Sequence, residues 1–567
     1  MNSLSLKQFT IIAACLFAFV TALWLTHIGN RKLANPDEGR YSVLAMHMAD
    51  SGDFVTPRLN GLKYFEKPPM QYWATAIAIK TFGKSEWSAR LYTALCGLLT
   101  ILMVAYTAGR LFSREIGIFT GLVLVACPYY TALANVVTLD MGLTFWTTLS
   151  VCAFLLSQRT DPHPPFVKEK WTWLLIGWAA MGGAVLSKGL IGLVFPAAIL
   201  FLYCLIQWDW KRLAAINWLS GFLIFFAVAA PWFVMVANRN PEFLHFFFVH
   251  EHFQRFTTTE HRRVEPFWFF LPILFAGCFA WALMLVPAMI RGWHGGSHHA
   301  DPITPCGQKH FKPLRFVLLW IVFIVGFFSL SGSKLPAYIL PVFPFLAMVL
   351  AFYIATTPGR RLAAYLAPTV PIAITLAWYL HQLPAKRGGD AIQLTLYAEY
   401  ATILVYALVI FAIGTTLTIG LFWRNSKVSR RWGVLVVALA SVMMVNRIET
   451  GYESLSPLQS GYVMSQAVKL NLKQDTRLYA VDTYDQTAPF YVGRYFTLVD
   501  YQDEFSLGQQ QEPGLSIAKL DDFPPVWHAP GSVIAIIPPQ DADKMRALGL
   551  EFQIIHQSPR RLAIIKR

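Results

Sequence analysis

A few short segments of this 567-residue chain hold the side chains able to do chemistry. Asn35-Pro36-Asp37-Glu38-Gly39-Arg40-Tyr41 puts two carboxylates and a guanidinium within about one helical turn, and Tyr64-Phe65-Glu66-Lys67 follows in the same apolar-to-apolar interval. Asp140 stands between two apolar runs, in Thr138-Leu139-Asp140. A carboxylate at the bilayer centre costs about 2.5–3.5 kcal/mol, less at the edge, and membrane-embedded carboxylates are functional by default. His250-Glu251-His252 and Arg255 form a third segment; Lys188 (Ser187-Lys188-Gly189) and Lys334 (Ser331-Gly332-Ser333-Lys334-Leu335-Pro336-Ala337-Tyr338) lie in tight turns. Asp37 and Asp140 are the candidate catalytic acids. Lys67, Arg40, Arg255, Tyr64, Lys188, Lys334 and Tyr338 are candidates to hold a phosphate, for which a guanidinium offers a bidentate fork. Glu66, His250 and His252 could hold a divalent metal such as zinc in a structural role, and no cofactor is otherwise required. Blander roles stand beside these. Asp37 could merely cap a helix, Glu66 pair with a lysine, Asp140 sit in a solvated turn, and the two lysines snorkel to headgroups.

These residues need elements to hold them, and composition says which kind. The chain is 55% hydrophobic and 14% charged, against about 25% charged for a soluble domain. Its apolar residues gather in runs near the length a helix needs to cross a bilayer, without strand-like alternation. Spans are expected at 8–27, 91–109, 116–132, 141–157, 171–186, 189–207, 215–236, 267–290, 315–331, 335–355, 362–380, 400–423 and 433–446. The first reads as a retained span, not a removed signal peptide. The fold class is therefore an all-α polytopic membrane domain of about thirteen transmembrane helices over 1–446, plus a small α/β C-terminal soluble domain over 447–567. In that tail, strands are expected at Arg477–Asp482, Tyr495–Asp500, Val533–Pro538, Glu551–Gln557 and Arg561–Lys566, and a helix at Gln540–Gly549. It carries no catalytic signature.

The net charge of +15 arises from 47 Lys+Arg against 32 Asp+Glu. With no basic cluster on the soluble module, nucleic acid is excluded as a partner. Alternate short connectors are basic: Arg110 with Arg114, Lys211 with Arg212, Arg360 with Arg361, and Arg424 to Arg431. Those lie in the cytoplasm by the positive-inside rule. The N-terminus is then inside, and loops 28–90 and 237–266 and the soluble domain are outside. The two outside loops are basic against the rule, which an anionic substrate explains. Asp37 is expected to cap a helix reaching Asp50, with Tyr41, Leu44 and Met48 as an apolar stripe lying in the interface plane. A second such helix opens at Pro68-Pro69. All seven cysteines lack a CxxC pairing, and no disulfide framework is indicated.

Asp37-Glu38-Gly39-Arg40-Tyr41, Ser51-Gly52-Asp53 and Tyr64-Phe65-Glu66-Lys67-Pro68-Pro69 resemble the first loop of C-type glycosyltransferases in the dolichyl-phosphate-mannose protein mannosyltransferase superfamily. Through Thr138-Leu139-Asp140, Ser187-Lys188-Gly189, the 252–256 segment and Lys334-Leu335-Pro336, the chain resembles the bacterial aminoarabinose lipid A transferase family over about 350 residues. The C-terminal domain is similar to that family's only in position and size. The resemblance implies a C-type glycosyltransferase fold with a periplasmic site in a Gram-negative inner membrane. It implies transfer of 4-amino-4-deoxy-L-arabinose from undecaprenyl phosphate to a lipid A phosphate, with resistance to polymyxin and cationic peptides as the consequence. The family's acidic residues map onto Asp37 and Asp140, and its phosphate-binding lysine onto Lys67.

Both reacting groups are phosphates, one already a good leaving group and one already anionic. Catalysis then rests on positioning and on stabilising charge, with inversion at the sugar carbon. A monomer working within the bilayer is expected. Transfer of another polyprenyl-phosphate sugar to lipid, glycan or protein is the alternative within the class. A lipid-linked sugar transporter is the alternative outside it, although transporters place charge at mid-membrane and show inverted repeats. A scaffold would leave the basic outside loops unexplained.

Overall fold

The structure is a computed structural model describing residues 5–159, 166–254, 265–295, 311–386 and 390–567. In chain order, α1 (Leu6–His27) is followed by α2 (Asp37–Ser51), α3 (Met70–Phe82), α4 (Glu86–Leu111), α5 (Arg114–Val125), α6 (Pro128–Leu133), α7 (Leu139–Ser157), α8 (Phe166–Lys188) and α9 (Ile191–Gln207). Among the described residues ten helices are long and apolar enough to cross a membrane: α1, α4, α7, Trp218–Arg239, Phe270–His294, Pro313–Leu330, Pro336–Thr356, Gly359–Lys386, Ala391–Trp423 and Lys427–Gln459. The other expected spans fall on α5 with α6, parted at Cys127-Pro128, and on α8 and α9. The break expected at Ser187-Lys188-Gly189 is real: α8 ends at Lys188, and Gly189 turns the chain at φ +86°, a conformation that glycine tolerates without a Cβ clash.

Between α1 and α4 the chain leaves the bundle. α2 ends at Gly52, in the left-handed region at φ +72°, and α3 starts behind Pro68-Pro69, where a missing N–H costs nothing. Between them strands β1 (Arg58–Leu59) and β2 (Leu62–Lys63) pair across Asn60-Gly61, both at positive φ as a two-residue hairpin requires.

The C-terminal sheet contains β3 (Arg477–Val481), β4 (Thr497–Val499), β5 (Ser516–Ile517), β6 (Val533–Ile537), β7 (Phe552–Gln557) and β8 (Leu562–Lys566), in the order β5-β4-β3-β6-β8-β7. The first four in that order run parallel, and β8 and β7 are antiparallel. Residues alternate between the two faces. Tyr479, Val481, Val533 and Ala535 pack on Phe523, Trp527 and Met545. Leu478, Ala480, Leu498 and Ile534 share a core with Tyr41, Leu44, Met48 and Tyr72 of the first outer loop. The strands match the expected ones to within two residues at each end. The expected helix shortens to Ala542–Ala547, and the two-residue β5 and the helix Tyr462–Leu470 stand outside the expected elements.

That shared core corrects one expectation. α2 does not present a single apolar stripe. Val43, Ala45 and Met46 are buried along with Tyr41, Leu44 and Met48, because the sheet covers the helix. Each large apolar side chain so buried contributes about 1.5–3 kcal/mol, so loop and sheet stabilise each other.

Candidate active site

Asp37 is the first residue of α2, and it does not cap it: Pro36 occupies the capping position and no side-chain cap bond forms. Already inside the helix, Asp37 faces one turn forward, where Arg40 Nη1 donates to its Oδ1 at 2.8 Å. Asp37 keeps 44% of its side chain exposed, while Arg40 is mostly covered and also pairs with Glu504 from the C-terminal domain. Glu504 is 5% exposed. Burial pushes its carboxyl up to about 7 despite the facing Arg40, with Glu66 adding to the rise.

Glu38, the neighbour of Asp37, points into the membrane domain. Arg90 Nε and Nη2 donate to its two oxygens at 2.7 and 2.8 Å, and the remaining guanidinium donors reach the carbonyls of Ile28, Arg31 and Lys32. Glu38 also accepts from the amides of Ala34 and Val137. Burial would raise its carboxyl, but Arg90 and Arg31 overcome that and hold it at about 2. The Val137 bond ties the first turn of α2 to the segment that opens α7, where Asp140 lies. Asp140 is salt-bridged to Lys188, whose ammonium sits 4.6 Å from the Tyr338 ring centroid. These lysines do not snorkel. Lys188 is mostly buried, and Lys334 is buried with its ammonium donating to the carbonyls of Ser331 and Glu265 at 2.8 and 2.9 Å. A lysine at a helix end packed inside a bundle has protein oxygens closer than headgroups.

Lys67 Nζ donates to Glu251 Oε2 at 2.8 Å and to the Glu66 carbonyl at 2.7 Å. Three buried tyrosines connect the groups. Tyr41 stacks on Tyr72 with centroids 6.0 Å apart, and Tyr64 is 2% exposed. Burial pushes the Tyr41 hydroxyl far up, and it also feels both Asp37 and Asp140; burial, Glu66, Asp37 and Glu251 do the same to Tyr72. Burial and then Glu66 raise Tyr64. All three are hydrogen-bond donors, not bases, at neutral pH.

The structure thus gathers Asp37, Arg40, Tyr64, Glu66, Lys67 and Asp140 around one tyrosine cluster, and joins Lys188 and Tyr338 to it through Asp140. Lys334 is set on backbone carbonyls near its end. Arg255 and the side chains of His250 and His252 lie outside the described residues. Among the described residues, no group of three or more His, Cys, Asp or Glu is arranged to hold a metal ion. The sequence reading gives Glu38, Arg90 and Glu504 no role, and it takes Glu251 with its flanking histidines rather than with Lys67. Arg90, a cation inside the first turns of a spanning helix, carried a readable signal. Glu504 carried none, since its partner is 464 positions away.

Residues 9–247 match the family described as dolichyl-phosphate-mannose-protein mannosyltransferase, and residues 464–566 match the aminoarabinose transferase C-terminal domain. The fold and these matches together define a multi-pass membrane protein of a glycosyltransferase family. The crystal structure of ArnT from Cupriavidus metallidurans bound to undecaprenyl phosphate superposes with a TM-score of 0.89 at 30% identity, covering 99% of this chain and 98% of that one. The chain belongs to the aminoarabinose transferase family. Undecaprenyl phosphate-alpha-4-amino-4-deoxy-L-arabinose arabinosyl transferases from Enterobacter sp. (strain 638) and Erwinia tasmaniensis are 30% and 32% identical to it. Their alignments take in 58% and 62% of this chain and 57% and 61% of theirs, so about three fifths of those relatives' length is matched.

Proposed function

We propose that this protein transfers 4-amino-4-deoxy-L-arabinose from undecaprenyl phosphate to a phosphate group of lipid A. The site lies at the periplasmic face of a bacterial inner membrane, with the N-terminus in the cytoplasm. The observation that carries the reading is the gathering of Lys67 with Asp37, Arg40 and Asp140 at one end of the spanning helices, beneath a soluble domain. The naming of the relatives and the undecaprenyl phosphate of the Cupriavidus structure supply the substrate class.

An oxygen of the acceptor phosphate attacks the anomeric carbon as the bond from that carbon to the donor phosphate breaks. Undecaprenyl phosphate leaves with one more negative charge, and the sugar carbon inverts. The acceptor is already anionic, so no base must take a proton. Lys67, with Arg255, offsets the charge growing on the departing phosphate. Asp37 and Asp140 orient the acceptor or the cationic amino sugar, and Lys188 keeps Asp140 in place. Glu66 with His250 and His252 holds a structural divalent ion in this reading, and metal analysis of the purified protein that finds none removes that element.

Purified protein incubated with undecaprenyl-phosphate aminoarabinose and lipid A tests the whole. Mass spectrometry should find an aminopentose increment on a lipid A phosphate. Transfer of a different polyprenyl-phosphate sugar, with none of this one, would overturn the substrate assignment.

A further inference from the structure

The first turn of α2 is held from two directions. Glu38 ties it to the membrane domain, as described. The other hold comes from Asp485, in the loop after β3 of the C-terminal domain, a residue with no place in the transfer chemistry. Its side chain is 1% exposed. Oδ1 accepts from the Thr487 amide at 2.9 Å, the Thr487 hydroxyl at 2.6 Å and the Ala488 amide at 3.1 Å, fixing the turn into the helix Ala488–Val492. Oδ2 points outward from that turn and accepts from Asn35 Nδ2 at 3.0 Å and Arg561 Nη1 at 2.9 Å. Asn35 is two residues before Asp37. Its amide donates to the Gln459 carbonyl at 2.8 Å, so the residue is gripped by both backbone and side chain.

The contact is close as well as polar. A Cβ at Gly39 would lie 2.5 Å from the carbonyl carbon of Gln486, the residue after Asp485. The helix backbone therefore lies flush against the loop that Asp485 organises. A carboxylate with five donors, almost fully out of water, defines the position of each donor narrowly, since any lost bond leaves a buried polar group unpaired.

We infer that Asp485 is a positioning residue: through Asn35 it sets where the first turn of α2, and with it Asp37, stands in the site. The kinetic part rests on the transferase reading, and the structural part does not. Asp485→Asn keeps the shape and the Oδ1 contacts but turns an NH2 group toward two donors, Asn35 Nδ2 and Arg561 Nη1.

Two measurements on the full chain in detergent test it. In hydrogen exchange, the amides of Asn35 and residues 37–40 should exchange faster in Asp485→Asn, while β3 and β6 stay as protected as in the native chain. In the transfer assay, kcat should fall about 100-fold, the loss expected of a small misplacement of a catalytic group, with KM for the lipid-linked donor changed little. Asn35→Asp combined with Asp485→Asn reverses the sense of the hydrogen bond and should recover much of the lost kcat. A role confined to the turn at Thr487 would not respond to position 35. Asn35→Ala leaves that turn intact and should reproduce the local exchange change if Asp485→Asn fails to fold. Unchanged exchange at those amides in the folded variants, or loosening of the whole sheet with no rescue, would overturn the inference. The exchange result stands whether or not the native chain transfers the proposed sugar, so the two readings fail separately.

Discussion

Besides Arg40–Glu504, two buried arginine–carboxylate pairs hold the first turn of α2, one from each region of the molecule. On the membrane side Arg90 holds Glu38 with both partners almost wholly excluded from solvent, 0% and 2% exposed. On the side of the soluble domain Arg561 holds Asp485 at 15% and 1%. The membrane-side pair lies within 52 residues of sequence; its carboxylate belongs to α2 itself. The other pair lies wholly within the C-terminal domain and holds the approach to α2 through Asn35. The first is therefore a structural support of the bundle, the second an adjustment of it, and perturbing each should read out differently: folding for one, geometry for the other.

The largest effect belongs to Arg90→Met. It removes five hydrogen bonds and leaves the Glu38 carboxylate buried without its main partner, at a cost of about 3–5 kcal/mol. Little monodisperse protein should survive purification in detergent, as size-exclusion chromatography would show; a stable, fully active variant would break the comparison. Next comes Lys67→Met, which should keep the fold but cut transfer by about 100-fold or more, mostly in kcat, as loss of a charge placed for the transition state does. Retained transfer would mean that Lys67 serves only Glu251.

Glu504→Gln probes the soluble domain's own contribution and should lower transfer by about tenfold, the scale of losing one charged hydrogen-bond partner. It also carries a pH signature. The folded carboxyl sits at about 7, raised by burial above the ordinary 4.5. Ionising it disfavours the folded state, so its effect on stability is absent below about 4.5, and stability declines as pH rises from there to about 7. Activity that needs the Arg40–Glu504 ion pair should instead rise through about 7. A pH series on Glu504→Gln should flatten both slopes; unchanged slopes would reject Glu504 as their source. Gly39→Ala strains the same seam by shape, since the added methyl would fall 2.5 to 2.7 Å from backbone atoms of Gln486 and Thr487 and helix and loop must part. About 1–3 kcal/mol of overpacking should lower the thermal midpoint by a few degrees, with the C-terminal sheet otherwise unchanged by circular dichroism.

Legibility followed the same divide. Asp37, Arg40, Glu66 and Lys67 lie in a short, highly polar stretch between apolar runs, and Asp140 interrupts apolar sequence, so type and position were enough to mark them. Lys188 and Lys334 were marked too, but their burial was not, because a lysine beside a span looks the same whether it meets a headgroup or a carboxylate. Sequence predicts Asp37 as a cap, and it is instead the first helical residue, a difference of one position that only the backbone angles at Pro36 decide. Asp485 and Glu504 sit in a soluble domain of ordinary composition, where an acidic residue is unremarkable until its partner is known. Asn60-Gly61 carries a hairpin signal in sequence, but not the second role of Asn60, whose amide exchanges hydrogen bonds with the Phe496 backbone at 2.5 and 2.9 Å.

By itself the sequence determined the bundle and the α/β tail, and marked the candidate acids and lysine of the first loop, because lipid admits few backbone solutions and makes every charge conspicuous. Only the tertiary structure decided that the first loop and the C-terminal sheet share one core, and that Glu504 and Asp485 reach the site. Those contacts join residues more than 400 positions apart, and no local pattern of residue types encodes a partner at that distance.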